Sequence, residues 1–255
     1  MTLVEGLLVV VAGLAAGTIN TIVGSGTLIT FPTLLLLGVP PITANVSNSV
    51  GLVAGGITGI HGYRHELVGA RRDLAALAPM TLIGATVGAL LLLVLPAEAF
   101  RAIVPALVAL GILLVAFGPA LNRWSERHRG HDADPRLGWP VRLGVLGAGA
   151  YGGYFGAAQG VILVGLMNVL TSLPLQRLNG YKNVLGTLAN LVAAIVFIVV
   201  APEHVDWAVA GLIAIGALAG GWVGSTVGRR LSPTALRTVI VVIGIVAIVK
   251  LVWFP

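Results

Sequence analysis

The chain has 255 residues, of which 57% are hydrophobic and 9% charged, with a net charge of +6 and a mean hydropathy of +1.01. So little charge cannot cover a soluble surface, which excludes a soluble enzyme or binding module and makes lipid the solvent for most of the exterior. The basic residues stand singly or in small groups between apolar runs, with no basic face or aromatic stacking motif, so nucleic acid is excluded as a partner.

In chain order the apolar stretches fall near 3–38, 42–62, 73–95, 102–121, 139–173, 183–201, 207–228 and 235–253. Several reach the roughly 18–20 residues that a helix needs to cross hydrocarbon, and the short alternating segments of a β-barrel are missing. The predicted fold class is therefore all-α, a polytopic membrane helix bundle with about eight long hydrophobic stretches. The first stretch follows Met1-Thr-Leu-Val-Glu5 with no basic n-region, and reads as a membrane segment rather than a removed signal peptide. Stretches 3–38 and 139–173 are too long for one crossing: about 35 residues reach roughly 50 Å, against a hydrocarbon core of about 30 Å. Gly24-Ser25-Gly26 interrupts the first, and Gly152-Gly153 with Gly156 and Gly160 the second. These clusters predict breaks and bring the membrane segments to as many as ten. Pro79 and Pro105 lie inside apolar runs and predict helix kinks or hinges. Gly211, Gly216, Gly220, Gly224 and Gly228 form a small-residue stripe that lets another helix approach closely.

Segments 63–72, 122–138, 174–182 and 229–237 are basic, carrying among them Arg64, Arg71, Arg72, Arg123, Arg127, Arg129, Arg136, Arg177, Lys182, Arg229, Arg230 and Arg237, whereas 202–206 carries Glu203 and Asp206. The basic segments are expected in the cytoplasm. With 122–138 and 174–182 on one side, the run between them crosses an even number of times, as a re-entrant pair would. The chain also repeats. Val39-Pro40 returns as Leu173-Pro174, Asn45 as Asn179, Ser49 as Asn183, Gly24 as Gly156, and Gly84-xxx-Gly88 as Gly220-xxx-Gly224. Five segments per half invert one half relative to the other, which predicts two inverted repeats with a site near the midplane where they meet. The expected division is a first repeat at 1–122, a cytoplasmic connector at 123–138 and a second repeat at 139–255.

Broken helices can hold a small anion through backbone amides at half-helix N-termini, where glycine lets the solute approach. Gly24, Ser25, Gly26 and Thr27 in one break, and Gly156, Gln159 and Gly160 in the other, are candidate substrate-binding residues; tight helix crossing is the alternative use of such small residues. A second group, Asn45, Ser47, Asn48 and Ser49 with Asn179, Tyr181, Lys182, Asn183 and Asn190, opens apolar helices with groups that are costly at membrane depth unless paired or wet. Asn48, Ser49, Lys182, Asn183 and Asn190 join the candidates, as does Asn20 in the first broken run, with capping or helix–helix bonding as the other role for Asn20 and Asn190. Two readings stand open for Lys182: pairing with a bound anion, or snorkelling to the cytoplasmic interface. Glu5, Glu66, Glu98, Glu126, Glu203 and Asp206 all fall near ends or in connectors, which disfavours a cation transporter. His61, Tyr63 and His65 lack an acidic partner at metal-ligand spacing and read as interfacial; with no cysteine there is no thiolate site either. Neither a nucleophile–base pair nor a dinucleotide or phosphate loop is present, so no catalytic residue, metal or cofactor is expected and the chain reads as a non-enzyme.

Gly17-Thr-Ile-Asn-Thr-Ile-Val-Gly-Ser-Gly-Thr-Leu-Ile-Thr-Phe-Pro32 with Ala44-Asn-Val-Ser-Asn-Ser49, and their counterparts Gly152-Gly-Tyr-Phe-Gly-Ala-Ala-Gln-Gly160 and Leu178-Asn-Gly-Tyr-Lys-Asn183, make the sequence resemble the TauE/SafE family of sulfite and organosulfonate exporters, also called toluene sulfonate uptake permeases. The resemblance covers nearly the whole chain. It implies a transport protein of the bacterial plasma membrane and, as substrates, sulfite, sulfoacetate or related sulfur-containing anions, with export favoured. The expected partners are then a small anionic substrate and the lipid bilayer, with association into a homo-oligomer left open. The residues by themselves also admit a passive anion channel or a non-transporting membrane subunit.

Overall fold

The computed structural model describes residues 1–128, 137–227 and 233–253. Arg129, Arg136, Gly228, Arg229 and Arg230 lie outside the described residues. Ten α-helices follow in order: α1 (Leu3–Ile22), α2 (Thr27–Leu36), α3 (Pro41–Gly62), α4 (Arg71–Val94), α5 (Ala97–His128), α6 (Trp139–Tyr154), α7 (Gln159–Leu170), α8 (Leu175–Val200), α9 (Trp207–Thr226) and α10 (Pro233–Trp253). Among the described residues there is no strand. Helices α1, α4, α5, α8 and α9 are long and apolar enough to cross a bilayer. The short helices α2 and α7, of 10 and 12 residues, reach only about 15 and 18 Å, half of a hydrocarbon core.

Both over-long stretches are interrupted. Each break is a helix C-terminus closed by a glycine in the left-handed region, where an L side chain is disfavoured. Gly24 at φ 85° donates to Ile19 O, and Gly156 at φ 75° donates to Tyr151 O. The chain then doubles back. On the α6–α7 hairpin, Gly152 faces Gln159 and Gly144 faces Leu166, so the two helices run antiparallel.

Residue-level packing fixes the directions of the other helices. Gly216 and Gly220 of α9 face Val10 and Leu14 of α1, while Gly51, Gly55 and Gly62 of α3 face Ile213, Ala217 and Ser225 of α9. Positions rise together in each pair, so α1, α3 and α9 are parallel. Likewise Gly84 and Gly88 of α4 face Leu146 and Ala150 of α6, and α8 starts beside the start of α4 through Tyr181 and Asp73. The triad α4, α6 and α8 is parallel too. The triads oppose each other: Gly180 of α8 lies against Glu66 and Leu67 just past the end of α3, and Asn45 near the start of α3 donates to Tyr154 O at the end of α6, 3.0 Å away. Helix α1 thus corresponds to α6, α3 to α8 and α9 to α4, with inverted sense.

The glycines set the intimacy of these crossings. A Cβ on Gly216, Gly220 or Gly224 would strike the backbone of α1, and one on Gly84, Gly88 or Gly153 would strike the facing helix of the second triad. Without a hydrophobic driving force between helices in lipid, such backbone-level contact and its dispersion energy hold the triads together. Gly211 takes no part, since it is exposed and an added Cβ would meet nothing within 4 Å. Pro79 and Pro105 lie inside α4 and α5.

Segments 63–72 and 174–182 meet at one end of the bundle, where Arg177 lies 3.8 Å from Asp73. The end of α9 reaches the same end through Ser225 against Gly62, and Leu137, at the entry to α6, packs there in one cluster with Ala70 and Leu178. Acidic 202–206 lies at the opposite end: Asp206 caps α9 by accepting from Ala208 N and Val209 N, and its own N–H donates to Ser47 Oγ near the start of α3.

Candidate functional site

The two breaks meet inside the bundle. Gly160 N donates to Gly24 O at 3.0 Å, and the two glycines pack Cα against Cα. This contact requires glycine on both sides: a Cβ on Gly24 would strike Gly160 Cα, and one on Gly160 would lie 2.9 Å from Lys182 Cδ. The stem of Lys182 therefore fills the notch that the paired glycines leave.

Around this notch lies a cavity of about 20 Å³, room for roughly one water-sized body. Asn20, Thr21, Gly24 and Thr27 supply one wall, Gly156, Gln159 and Gly160 a second, Lys182, Asn183, Gly186, Thr187 and Asn190 a third, and Gly56 closes it from α3. From Lys182 to Asn190 the lining runs about 10 to 22 Å along a helix of roughly 39 Å, so it reaches the middle of the bundle from the basic end.

Lys182 is the single lining residue of ionisable type, and it is 2% exposed. Its Nζ donates to Thr21 O at 2.8 Å, and Asn183 Nδ2 donates to the same carbonyl at 3.4 Å. Among the described residues no carboxylate reaches it: the ion pair there is Arg177–Asp73, nearer the basic surface. An ammonium can donate three bonds, so two donor positions remain for a ligand. Snorkelling does not describe a side chain this deeply enclosed. Gln159 Nε2 is buried beside it without a partner. Asn20 Oδ1 accepts from Gly26 N at 3.4 Å, and Tyr151 OH holds Ala157 O at 2.6 Å, so each break is braced by a side chain from the preceding helix.

Of the residues anticipated from sequence, the structure brings Asn20, Gly24, Thr27, Gly156, Gln159, Gly160, Lys182, Asn183 and Asn190 together on the cavity. It places four elsewhere. Ser25 is fully buried in the first break with its hydroxyl unpartnered, and Gly26 packs on Ala16 O. Asn48, the counterpart of Lys182, bonds Thr30 Oγ1 and, at 3.2 Å, Thr27 Oγ1, tying α3 to α2. Ser49 Oγ bonds back to Asn45 O. Thr21, Gly56, Gly186 and Thr187 also line the cavity and escaped sequence reasoning. Thr21 contributes a backbone carbonyl, which any residue carries, while the other three look like ordinary packing positions. No group of His, Asp and Glu among the described residues could hold a metal, and His61 and His65 are exposed at the end of α3.

Beyond the cavity, toward the acidic end, four aromatic rings close the bundle. Phe31 of α2 packs edge-on against Phe155 of the second break at 5.1 Å, and Phe100 of α5 lies 6.4 Å from Phe155 and 5.9 Å from Tyr154.

An all-helical inverted-repeat bundle whose two breaks enclose a polar cavity has the build of a multi-pass membrane transporter. The chain belongs to the sulfite exporter TauE/SafE family, whose profile matches residues 9–251. It is 28% identical over 252 residues to "Probable membrane transporter protein YfcA" of Escherichia coli strain K12, covering 98% of this chain and 90% of that protein. It is also 26% identical to "Probable membrane transporter protein ORF9" of a Sinorhizobium species, covering 96% and 91% of the two chains. A "Probable membrane transporter protein" of Haemophilus influenzae is 24% identical, covering 94% and 92%.

Proposed function

We propose that the chain is a secondary transporter that exports small sulfur-containing anions such as sulfite, sulfoacetate or other organosulfonates, and is not an enzyme. The observation that carries the reading is Lys182: a cation enclosed at the junction of two helix breaks, bonded to a backbone carbonyl and facing no acid among the described residues. A singly charged cavity with amide and hydroxyl donors suits a small oxyanion that must also be released. Thr27, Gln159, Asn183 and Asn190 supply the polar wall, and the family description supports both the sulfur-containing substrate and the outward direction. The positive-inside rule puts the end shared by 63–72 and 174–182 in the cytoplasm. The repeats are then 1–122 and 139–255, joined by a cytoplasmic connector at 123–138.

Alternating access follows from the two triads. Rocking of α1, α3 and α9 against α4, α6 and α8 would part the aromatic rings at the acidic end while closing the basic end. A standing pore is the less suitable reading, because the cavity is too narrow for such an ion until the breaks separate.

The test is uptake of sulfite, sulfoacetate and sulfate into proteoliposomes, comparing the wild type with Lys182→Ala. We expect saturable flux of the sulfur-containing anions, weakened for Lys182→Ala by the roughly 1.5–3 kcal/mol that a charged hydrogen bond contributes, or roughly 10- to 150-fold in apparent affinity. Gel filtration controls for folding. Equal rates in folded wild type and variant remove Lys182 from the site, and no flux above empty liposomes ends the proposal.

A further inference from the structure

The inverted repeat makes the two ends of the bundle comparable residue by residue, and they differ. At the acidic end, Tyr154 and Phe155 of the second break pack with Phe100 and Phe31, and Asn45 is spent on Tyr154 O. At the basic end, the corresponding positions are Ile22, Val23 and Asn179, and in place of packed rings there is a groove of about 210 Å³. Its walls come from the first break, α5, α7, α8 and α10. Asn179 lies one helical turn before Lys182 and Asn183, which puts groove and cavity on successive turns of α8, separated by the first break.

The groove carries a charge of its own. Arg237, half-buried in α10, lines it opposite apolar Val115 and Val164. Among the described residues Arg237 has no carboxylate partner, the ion pair there being Arg177–Asp73.

We propose that this groove is a second, outer anion-binding station on the basic face, in which Arg237 and Asn179 receive a small oxyanion before it passes the first break to Lys182. The passage to Lys182 rests on the transport reading above; the station itself does not. A positive group in a low-dielectric cleft concentrates anions and raises their arrival rate by about 10- to 1,000-fold. Valine at position 23, where the second break has Phe155, leaves the space that the anion occupies.

Because the chain has no cysteine, a single Val164→Cys reports on the groove against a silent background. The probes are membrane-impermeant methanethiosulfonates, one bearing a sulfonate and one a quaternary ammonium, applied to the full chain in vesicles of each orientation. The expected result is labelling from the basic face alone, at least tenfold faster for the sulfonate reagent. Adding Arg237→Gln should bring that ratio close to one, while Arg237→Lys should retain it and so show that the bundle remains intact. Lack of labelling from the basic face refutes an open groove. Labelling without charge preference, or a preference that survives Arg237→Gln, refutes the anion station. Labelling does not depend on transport, so it can succeed where uptake fails and fail where uptake succeeds.

Discussion

Replacing Gly24 with alanine asks whether the two breaks must touch. An L residue in the left-handed region costs roughly 1–2 kcal/mol, and Gly24 sits there at φ 85°. The added Cβ would also be driven onto Gly160 Cα and lie 3.0 Å from Lys182 Cδ, overpacking that costs about 1–3 kcal/mol more. The sum is roughly 2–5 kcal/mol. Gly38 separates the two contributions, because it has φ 82° but an added Cβ there would meet nothing within 4 Å. Gly38→Ala should therefore carry the conformational cost alone. Thermal unfolding in detergent, at about 2–4 °C per kcal/mol for a chain of this size, should place the midpoint of Gly24→Ala several degrees below that of Gly38→Ala. Uptake should fall in the former and persist in the latter. Equal midpoints would mean that the first break passes the second with room to spare, and the reasoning from close approach would fail.

Phe155→Ala should cost about 3–5 kcal/mol of stability and make liposomes leak anions; liposomes as tight as those with wild type would show that the aromatic cluster is not the outer seal. Gly220→Val should abolish a monodisperse gel-filtration peak, since its side chain would strike the backbone of α1 at Leu14, whereas Gly211→Val should elute normally. Asn48→Ala removes the amide that Thr27 and Thr30 share, leaving Thr30 Oγ1 only Gly26 O, and should lower stability by roughly 1–3 kcal/mol with the KM for uptake unchanged. A KM raised as far as in a Lys182 variant would bring Asn48 into the site.

Much of the architecture could be read from lengths and glycines. A run of apolar residues longer than a membrane is thick has to turn, and glycine marks where. Both turns fall at positive-φ glycines, Gly24 and Gly156. The second break also uses Ala158 at φ 61°, which nothing in an alanine announces. Helix ends were less legible. Helix α8 starts at Leu175 rather than near 183, because Gln176, Arg177, Asn179 and Lys182 depress its hydropathy without preventing helix formation. Helix α5 runs on to His128, through residues that read as connector, since charge is no obstacle to a helix leaving the membrane. Within the site, polarity identified which residues need a partner but not which partner they take. Lys182 and Asn48 are equivalent in the repeat; one lines the cavity and the other is consumed by two threonines of α2. Local composition carries no record of that difference.

The exchange of helices between the halves bears on biogenesis. Helices α1 and α3 leave the ribosome early, yet the glycine-lined surface they pack against belongs to α9, one of the last segments made. Until then their small-residue faces are turned toward lipid or held by the insertion machinery, and α4 likewise waits for α6. Neither half contains a complete triad. Two fragments divided between α5 and α6 should assemble when synthesised together and be degraded when synthesised apart.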